Sequence, residues 1–257
     1  MDDGMEKQLP RGVALSWGLV EPPKRGPKRE LSIKEIVNAA IEIADKDGLS
    51  AVSMNRVASS LGFTAMSLYR YIPSKDDLIL LMQDAVCDIP IPPKKSGKEW
   101  REALRVYVKA CIKVFRDHPW FGDTPIFGTP ITPNNLQVID WVLREMRDLP
   151  LNDYEKMSFI LLLSGYARST GILERDMDRA LQSGSSEDAF SGRAYTAALK
   201  QLVTPDRFPY LYQLVDSGVY TEENTELNNV GNDLDFGLER ILDSIETYIK
   251  QKETNDE

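Results

Sequence analysis

The sequence predicts an all-α fold, and three observations carry that expectation. Fifteen prolines cut the 257 residues into long proline-free blocks: 28–72, 74–89, 94–118, 134–149, 151–204 and 210–257. Proline inside a helix removes a hydrogen bond and clashes with the preceding turn, so these blocks are where helices can run. Within them the apolar spacing is helical, as in Ile33, Ile36, Val37, Ala40, Ile41 and Ala44, or Leu78, Leu81, Met82, Ala85 and Val86. Leu234, Leu238, Ile241, Leu242, Ile245, Tyr248 and Ile249 repeat it near the C-terminus. Sustained period-two alternation is absent.

Composition narrows the function classes. Apolar residues make up 42% and charged residues 28%, the balance of a soluble domain with a real core. Cys87 and Cys111 have no CxxC spacing and read as free thiols in a reducing compartment. No apolar run approaches the ~18 residues that a membrane helix needs, and the acidic N-terminus lacks a signal-peptide core. A cytoplasmic protein is expected. The net charge of −9 hides an asymmetry. Between Pro22 and Lys75 nine Lys and Arg stand against five Asp and Glu; between Asp216 and Glu257 the count is three against twelve. Local sign matters more for partner choice than the sum.

Residues 1–30 read as a flexible basic arm, because the run Glu21–Arg29 is rich in Pro, Gly and charge. Ser32 with Glu35 then forms a capping box for a first helix that ends at Gly48. Ser53 caps a second helix ending near Leu61, where Gly62 supplies a left-handed turn. A third helix is very short, roughly Ala65 to Tyr71, and Pro73 ends it. Ser74 with Asp77 opens a fourth. Later helices are expected over 98–118, 152–176 and 235–251. Irregular stretches are expected at 119–133, 183–192 and 216–233. The domain organisation is an arm (1–30), a helix-turn-helix unit (31–76), a larger helical domain (77–252) and a tail (253–257).

The span 53–75 carries the functional signal. Two short helices joined by Leu61-Gly62-Phe63-Thr64 fit a helix-turn-helix, with Val57, Ala58, Leu61, Phe63 and Leu68 as a small internal core. A helix fits the major groove of DNA, and small residues at its start allow close approach to base edges. Thr64, Ala65, Met66 and Ser67 are therefore candidate base contacts. Ser67, Tyr69 and Tyr71 can donate to phosphates, while Arg70 and Lys75 bring charge. Ser53 and Asn55 begin the preceding helix. Lys24, Arg25, Lys28 and Arg29 are candidate minor-groove contacts, or simply a solvated tail. Any helical hairpin with a glycine turn shares part of this pattern.

The match becomes specific when residues are read in sequence. Ala44-Asp45-Lys46-Asp47-Gly48-Leu49, Ser53-Met54-Asn55-Arg56-Val57-Ala58 and Leu61 through Leu78 resemble the DNA-binding domain of the TetR/AcrR family of bacterial repressors. Trp17-Gly18-Leu19, Arg25-Gly26-Pro27 and Asp235–Leu242 are similar to the tetracycline-repressor-like subgroup. The resemblance implies a homodimer of about nine or ten helices per chain, with residues 64–67 facing bases and Tyr69, Tyr71 and Lys75 holding phosphates. It also implies an effector pocket among the central helices. Asn55 stands where some relatives carry a base-reading Arg, so an operator sequence does not transfer. Family members that hold a drug through magnesium use a histidine before a Gly-Thr pair. Ile126 occupies that place here and cannot ligate a metal. His118, the only histidine, is expected to cap a helix end.

Candidate ligand-wall residues are Phe115, Trp120, Phe121, Phe127, Trp141, Met146, Phe159 and Tyr166, with Thr129, Asn134, Asn135, Gln137, Arg168, Thr170 and Glu174 as polar anchors. Plain core is the competing reading for each. No Walker loop, GxSxG or metal-ligand spacing is present, so neither an enzyme nor a cofactor or metal site is expected. Dimerisation is expected through helices 152–176 and 235–251. There Gly165 and Ala167, beside Ser164 and Ser169, would admit a partner helix. The seam at 234–249 could instead pack within one chain. The expected function is a repressor released from operator DNA by a small apolar or amphipathic effector. The alternative is a helical dimer that binds small molecules without reading DNA.

Overall fold

The computed structural model describes residues 9–20, 31–93, 100–124, 131–182, 193–218 and 233–255. Among them are eleven α-helices, two 3₁₀ turns and no strand. The helices are α1 (Arg11–Ser16), α2 (Ile33–Asp47), α3 (Met54–Leu61), α4 (Ala65–Tyr69), α5 (Lys75–Val86) and α6 (Trp100–Asp117). After a 3₁₀ turn at Pro119–Asp123 come α7 (Pro133–Glu145), α8 (Asp153–Gln182), α9 (Arg193–Leu202), α10 (Pro209–Asp216) and α11 (Asp233–Asn255). The chain divides into two compact units, Met1–Ile172 with Ile249–Glu257, and Leu173–Tyr248.

Local chemistry sets the boundaries in the first unit. Ser32 Oγ accepts the Glu35 N–H while Glu35 reaches back to the Ser32 N–H, closing the capping box of α2. Ser53 accepts the Arg56 N–H at the start of α3, and Ser74 accepts the Asp77 N–H at the start of α5. Gly62 ends α3 at φ 78°, a left-handed conformation that a side chain would strain. These four helices share one apolar core. Ile36, Ala40, Val57, Leu68, Leu78 and Met82 belong to it, and all are essentially inaccessible to solvent. The recognition-type helix α4 spans five residues, shorter than the expected 65–71, because Arg70 and Tyr71 already form a turn.

The stretch expected as an arm contains a helix. In α1, Val13, Ala14 and Leu15 are buried, and α1 packs along α5. Gly12 makes that approach possible: a Cβ there would stand 2.9 Å from Asp77 Oδ1 and 3.3 Å from Asp77 Cα. Trp17, just beyond α1, donates its indole N–H to the Ile131 carbonyl at 2.8 Å. Composition hid this helix because only three consecutive apolar residues build it, between Pro10 and the charged run that follows. The candidate residues Lys24, Arg25, Lys28 and Arg29 lie outside the described residues, as do 183–192 and 219–232.

In the second unit α9 packs on α10, with Val203 and Val215 buried. Leu238, Leu242 and Ile245 of α11 are buried too, and Ile249 of the same helix, in the first unit, is 6% exposed. Four members of that seam are thus buried within a single chain, while its Tyr248, and Phe236 beside it, are exposed.

A side chain at position 12 must push α1 off α5, since one of its contacts is backbone. Gly12→Val is expected to release α1, lowering stability by about 1–3 kcal/mol in urea unfolding and exposing Arg11 to trypsin. Unchanged stability and protection would show that α1 does not depend on this approach.

Candidate functional site

The candidate DNA-reading face is built from α3, the turn at Gly62 and α4. Leu68 points inward and fixes the rotation of α4. Thr64, Met66, Tyr69 and Arg70 are consequently turned to solvent, Met66 with 75% of its surface open. Ala65, Ser67 and Tyr71 are half-buried. Thr64 and Ser67 share a hydroxyl hydrogen bond at 3.0 Å. Ser53 and Asn55 are exposed at the start of α3, and Lys75 is exposed at the start of α5. Arg56 of α3 pairs with Asp47 of α2. The structure thus gathers Ser53, Asn55, Thr64, Ala65, Met66, Ser67, Tyr69, Arg70, Tyr71 and Lys75 within three consecutive helices and their junctions.

The aromatic candidates fall into separate groups. Trp141 is 3% exposed and meets Tyr107 edge-on, with ring centroids 6.0 Å apart; the Tyr107 hydroxyl hydrogen-bonds Ser164 Oγ at 2.7 Å. Phe115 lies 5.0 Å from Phe121, beneath the Arg168 guanidinium at 5.8 Å. It packs so tightly on α8 that a Cβ at Gly171 would stand 2.6 Å from it. Both groups lie where α6 faces α8. Thr170 is buried on α8, while Phe159 and Tyr166 are half-buried. Glu174, also half-buried, belongs to the second unit. Phe127, Thr129 and Ile126 lie outside the described residues.

Trp120 sits elsewhere than in a ligand wall. It is fully buried in the core shared by α2–α5, and its indole N–H donates to Asp45 Oδ1 at 2.6 Å. His118 does not cap carbonyls as expected. Its Nδ1 lies 2.9 Å and 3.1 Å from the two Asp45 oxygens. The polar candidates Asn134 and Asn135 are likewise occupied. The Asn134 N–H donates to Asp84 Oδ1 and its side-chain amide to the Asp84 carbonyl, both at 3.0 Å. Asn135 donates to Thr132 Oγ1. Asp84 of α5 therefore caps α7 from outside it. An open groove of about 350 Å³ is lined by Trp17, Ile91, Pro133, Leu136, Gln137, Asp140, Trp141 and Arg144. Of the candidate ligand residues, Gln137 and Trp141 line this groove. Tyr107, Asp45 and Asp84 were not candidate site residues, and only three-dimensional proximity reveals their roles.

Burial shifts the protons here. The Cys87 and Cys111 thiols are pushed up to about 12, chiefly by burial. Burial also raises Asp84, against the hydrogen bonds from Thr132, Asn134 and Asn135 that lower it. Among the described residues no group of three His, Cys, Asp or Glu could hold a metal ion. No helix among them is long and apolar enough to cross a membrane.

One face of α8 is open. Tyr154, Met157, Leu161, Leu162, Leu173 and Met177 are exposed along it, Leu161 by 74%. Space above Gly165 is free, and Ser169 is exposed. Ser164 and Ala167 do not join this face. Ser164 bonds Ile160 O and Tyr107, and Ala167 is fully buried. Helical phase separates the four small residues into two outward and two inward.

Comparison with known proteins places these features. A family model described as bacterial regulatory proteins, tetR family, matches residues 36–82; a tetracyclin repressor-like C-terminal domain matches 92–249. The chain is 32% identical over 252 residues to the HTH-type transcriptional repressor DrrR1 of Streptomyces coeruleorubidus, covering 95% of this chain and 88% of that protein. It is 36% identical over 100 residues to an HTH-type transcriptional regulator of Saccharopolyspora erythraea, covering 38% of this chain and 42% of that one. Among solved structures, ActR from Streptomyces coelicolor in complex with actinorhodin superposes with a TM-score of 0.69 at 23% identity, over 86% of this chain and 98% of that one. Apo ActR gives 0.63 at 22%, over 84% and 97%. At such identity these structures establish the fold.

Asp84 gives a pH test of the α5–α7 junction. Its folded state holds the proton more tightly than the unfolded chain, so folding takes up a proton above the ordinary value of 3.8. The stability this group contributes is fully present below that value and is lost as pH rises through the raised folded value. Asp84→Asn does not titrate. The stability of the natural protein relative to Asp84→Asn is therefore expected to decline as pH rises above 3.8 in urea unfolding. A pH-independent difference would contradict the assignment.

Proposed function

The chain belongs to the TetR family of bacterial regulatory proteins, and from that premise we propose that it is a dimeric repressor whose α3 and α4 read operator DNA. The observation that carries the reading is the open, mixed surface of Thr64, Met66, Tyr69 and Arg70 on a helix with a buried anchor at Leu68. An α-helix of this exposure fits the major groove, with Thr64, Ala65, Met66 and Ser67 nearest the bases. Tyr69, Tyr71 and Lys75 are assigned to phosphates, with Ser53 and Asn55 beside them at the start of α3. The arm residues Lys24, Arg25, Lys28 and Arg29 are assigned to the adjacent minor groove.

The effector is a small amphipathic molecule. Phe115, Trp141, Phe159, Tyr166 and Thr170 line α6, α7 and α8, where a mostly apolar site with few polar anchors can form. Phe127, Thr129 and Glu174 are kept as further candidates. The ActR complex with actinorhodin supports a small-molecule effector by analogy of fold. Its occupancy favours a spacing of the two reading units that no longer matches half-sites about 34 Å apart. The partner copy covers the open face of α8, where Tyr154, Met157, Leu161 and Met177 would otherwise stay in water.

Two experiments test this. A duplex from the region upstream of its own coding sequence is titrated by fluorescence anisotropy from about 50 to about 200 mM salt, beside a scrambled duplex. Preference for the natural duplex by about a thousandfold is expected. Lys75→Ala should reduce the salt slope by about one, while Met66→Ala should weaken the preference without changing the slope. Equal binding to both duplexes would favour a dimer that does not read DNA. Separately, Leu161→Asp places a charge in the dimer face and is expected to give a monomer by light scattering; an intact dimer would remove α8 from the interface.

A further inference from the structure

We propose that Asp45 is a positioning residue: its bonds to Trp120 and His118 set the orientation of the recognition helices and carry operator affinity without touching DNA. This rests on the operator reading above. Asp45 lies near the end of α2, the first helix of the reading unit, and its carboxylate takes Trp120 Nε1 at 2.6 Å and His118 Nδ1 at 2.9 Å. A carboxylate only accepts, so His118 carries a proton on Nδ1 in this arrangement. Trp120 is fully buried in the same apolar cluster as Leu68, the anchor of α4. The indole is enclosed while the Asp45 carboxylate stays open to solvent, so the bond pins the end of α2 to the edge of that cluster at one fixed point.

The bond joins two halves of a continuous network. Two residues beyond Asp45, Asp47 pairs with Arg56 on α3, next to Asn55. On the other side, the turn carrying Trp120 is held by α8. Arg168 donates to the Gly122 carbonyl at 3.2 Å and the Thr124 carbonyl at 3.4 Å. Phe121 of that turn packs on Phe115, which Arg168 overlies. A shift of Arg168 or Phe115 therefore reaches α2 through Trp120, and α3 through α2. Contiguous contacts alone do not establish energetic coupling, so the claim needs a readout that a merely structural role would not move.

Charge supplies that readout. Asp45→Asn removes a negative charge from the DNA-binding side of the chain, which by electrostatics alone tightens binding to any duplex. A purely structural defect weakens operator and scrambled DNA alike. A positioning role lowers operator affinity selectively, against the electrostatic trend. The experiment uses the full-length protein with ¹⁵N-labelled tryptophan, the upstream duplex and its scrambled counterpart. The Trp120 indole resonance is assigned with Trp120→Phe.

Asp45→Asn is expected to lose about tenfold in operator affinity, to keep scrambled-DNA affinity within about twofold, and to move the Trp120 N–H resonance. In the natural protein that resonance should shift with operator and not with scrambled DNA. The Asp45→Asn/Trp120→Phe double variant should be no weaker than the worse single one, as expected for one shared interaction. If Asp45→Asn does not fold, His118→Ala, which leaves the bond to Trp120 intact, should still show an operator-selective loss of about threefold. Operator binding equal to or tighter than that of the natural protein, or parallel loss on both duplexes, overturns the proposal. Were the natural protein itself indifferent between duplexes, the operator reading would fall and this inference with it. A natural protein with a clear preference and an Asp45→Asn variant that keeps it would sink this inference alone.

Discussion

Five residues do not hold a helix in water. α4 runs only from Ala65 to Tyr69, well below the length at which an isolated helix persists. Its shape is supplied by burial of Leu68 and, in the next turn, Ile72, both with no accessible surface. Each is worth about 2 kcal/mol when fully buried. The direction in which Met66 and Tyr69 face solvent is thus set by packing against α2, α3 and α5. Any displacement of that core rotates the reading face. The same dependence gives α1 its place, since it packs on α5 through Gly12 and extends the brace under the recognition helices.

What was legible in the sequence is what is decided locally. Ser32 with Glu35, Ser53, and Ser74 with Asp77 satisfy backbone groups within three or four residues of themselves. Gly48 and Gly62 hold the positive φ values that stop two helices. These signals fixed the boundaries of α2, α3 and α5 to within a residue or so. The reading face followed from them, because helical phase and the identity of Leu68 decide which neighbours point outward. Phase on α8 was less accessible: Gly165 and Ser169 face out while Ser164 and Ala167 face in, and composition treats the four alike.

What was not legible depends on contacts between distant positions. Trp120 and Trp141 are both large aromatics near the middle of the sequence. One is bonded to Asp45, 75 residues away, and the other stacks edge-on against Tyr107 of a different helix. Asn134 has the composition of a pocket anchor, yet its donors are spent on Asp84, 50 residues earlier. His118 has the sequence context of a helix cap, yet a carboxylate on α2 competes for it, and a charge-assisted bond is the stronger of the two. Polar residues near a presumed cavity are as often used to join helices as to meet a ligand.

Those joints have a common location. The turn at 119–124 and the start of α7 at 131–135 are each bound by helices of the reading unit. Asp45 holds the former, while Trp17 and Asp84 hold the latter. From the other side Arg168 of α8 grips the turn through two carbonyls. Where α6 meets α8, Phe115 already touches Gly171 at the limit of packing, so that contact cannot absorb a push by compression. An effector wedged among α6, α7 and α8 must therefore be accommodated by moving the turn or the start of α7. Both are fastened by polar bonds to α2 and α5, the helices against which α3 and α4 are packed. The fold thus leaves little slack between α6–α8 and the α3–α4 pair, and the carboxylate–indole bond at 2.6 Å is the shortest of the links between them.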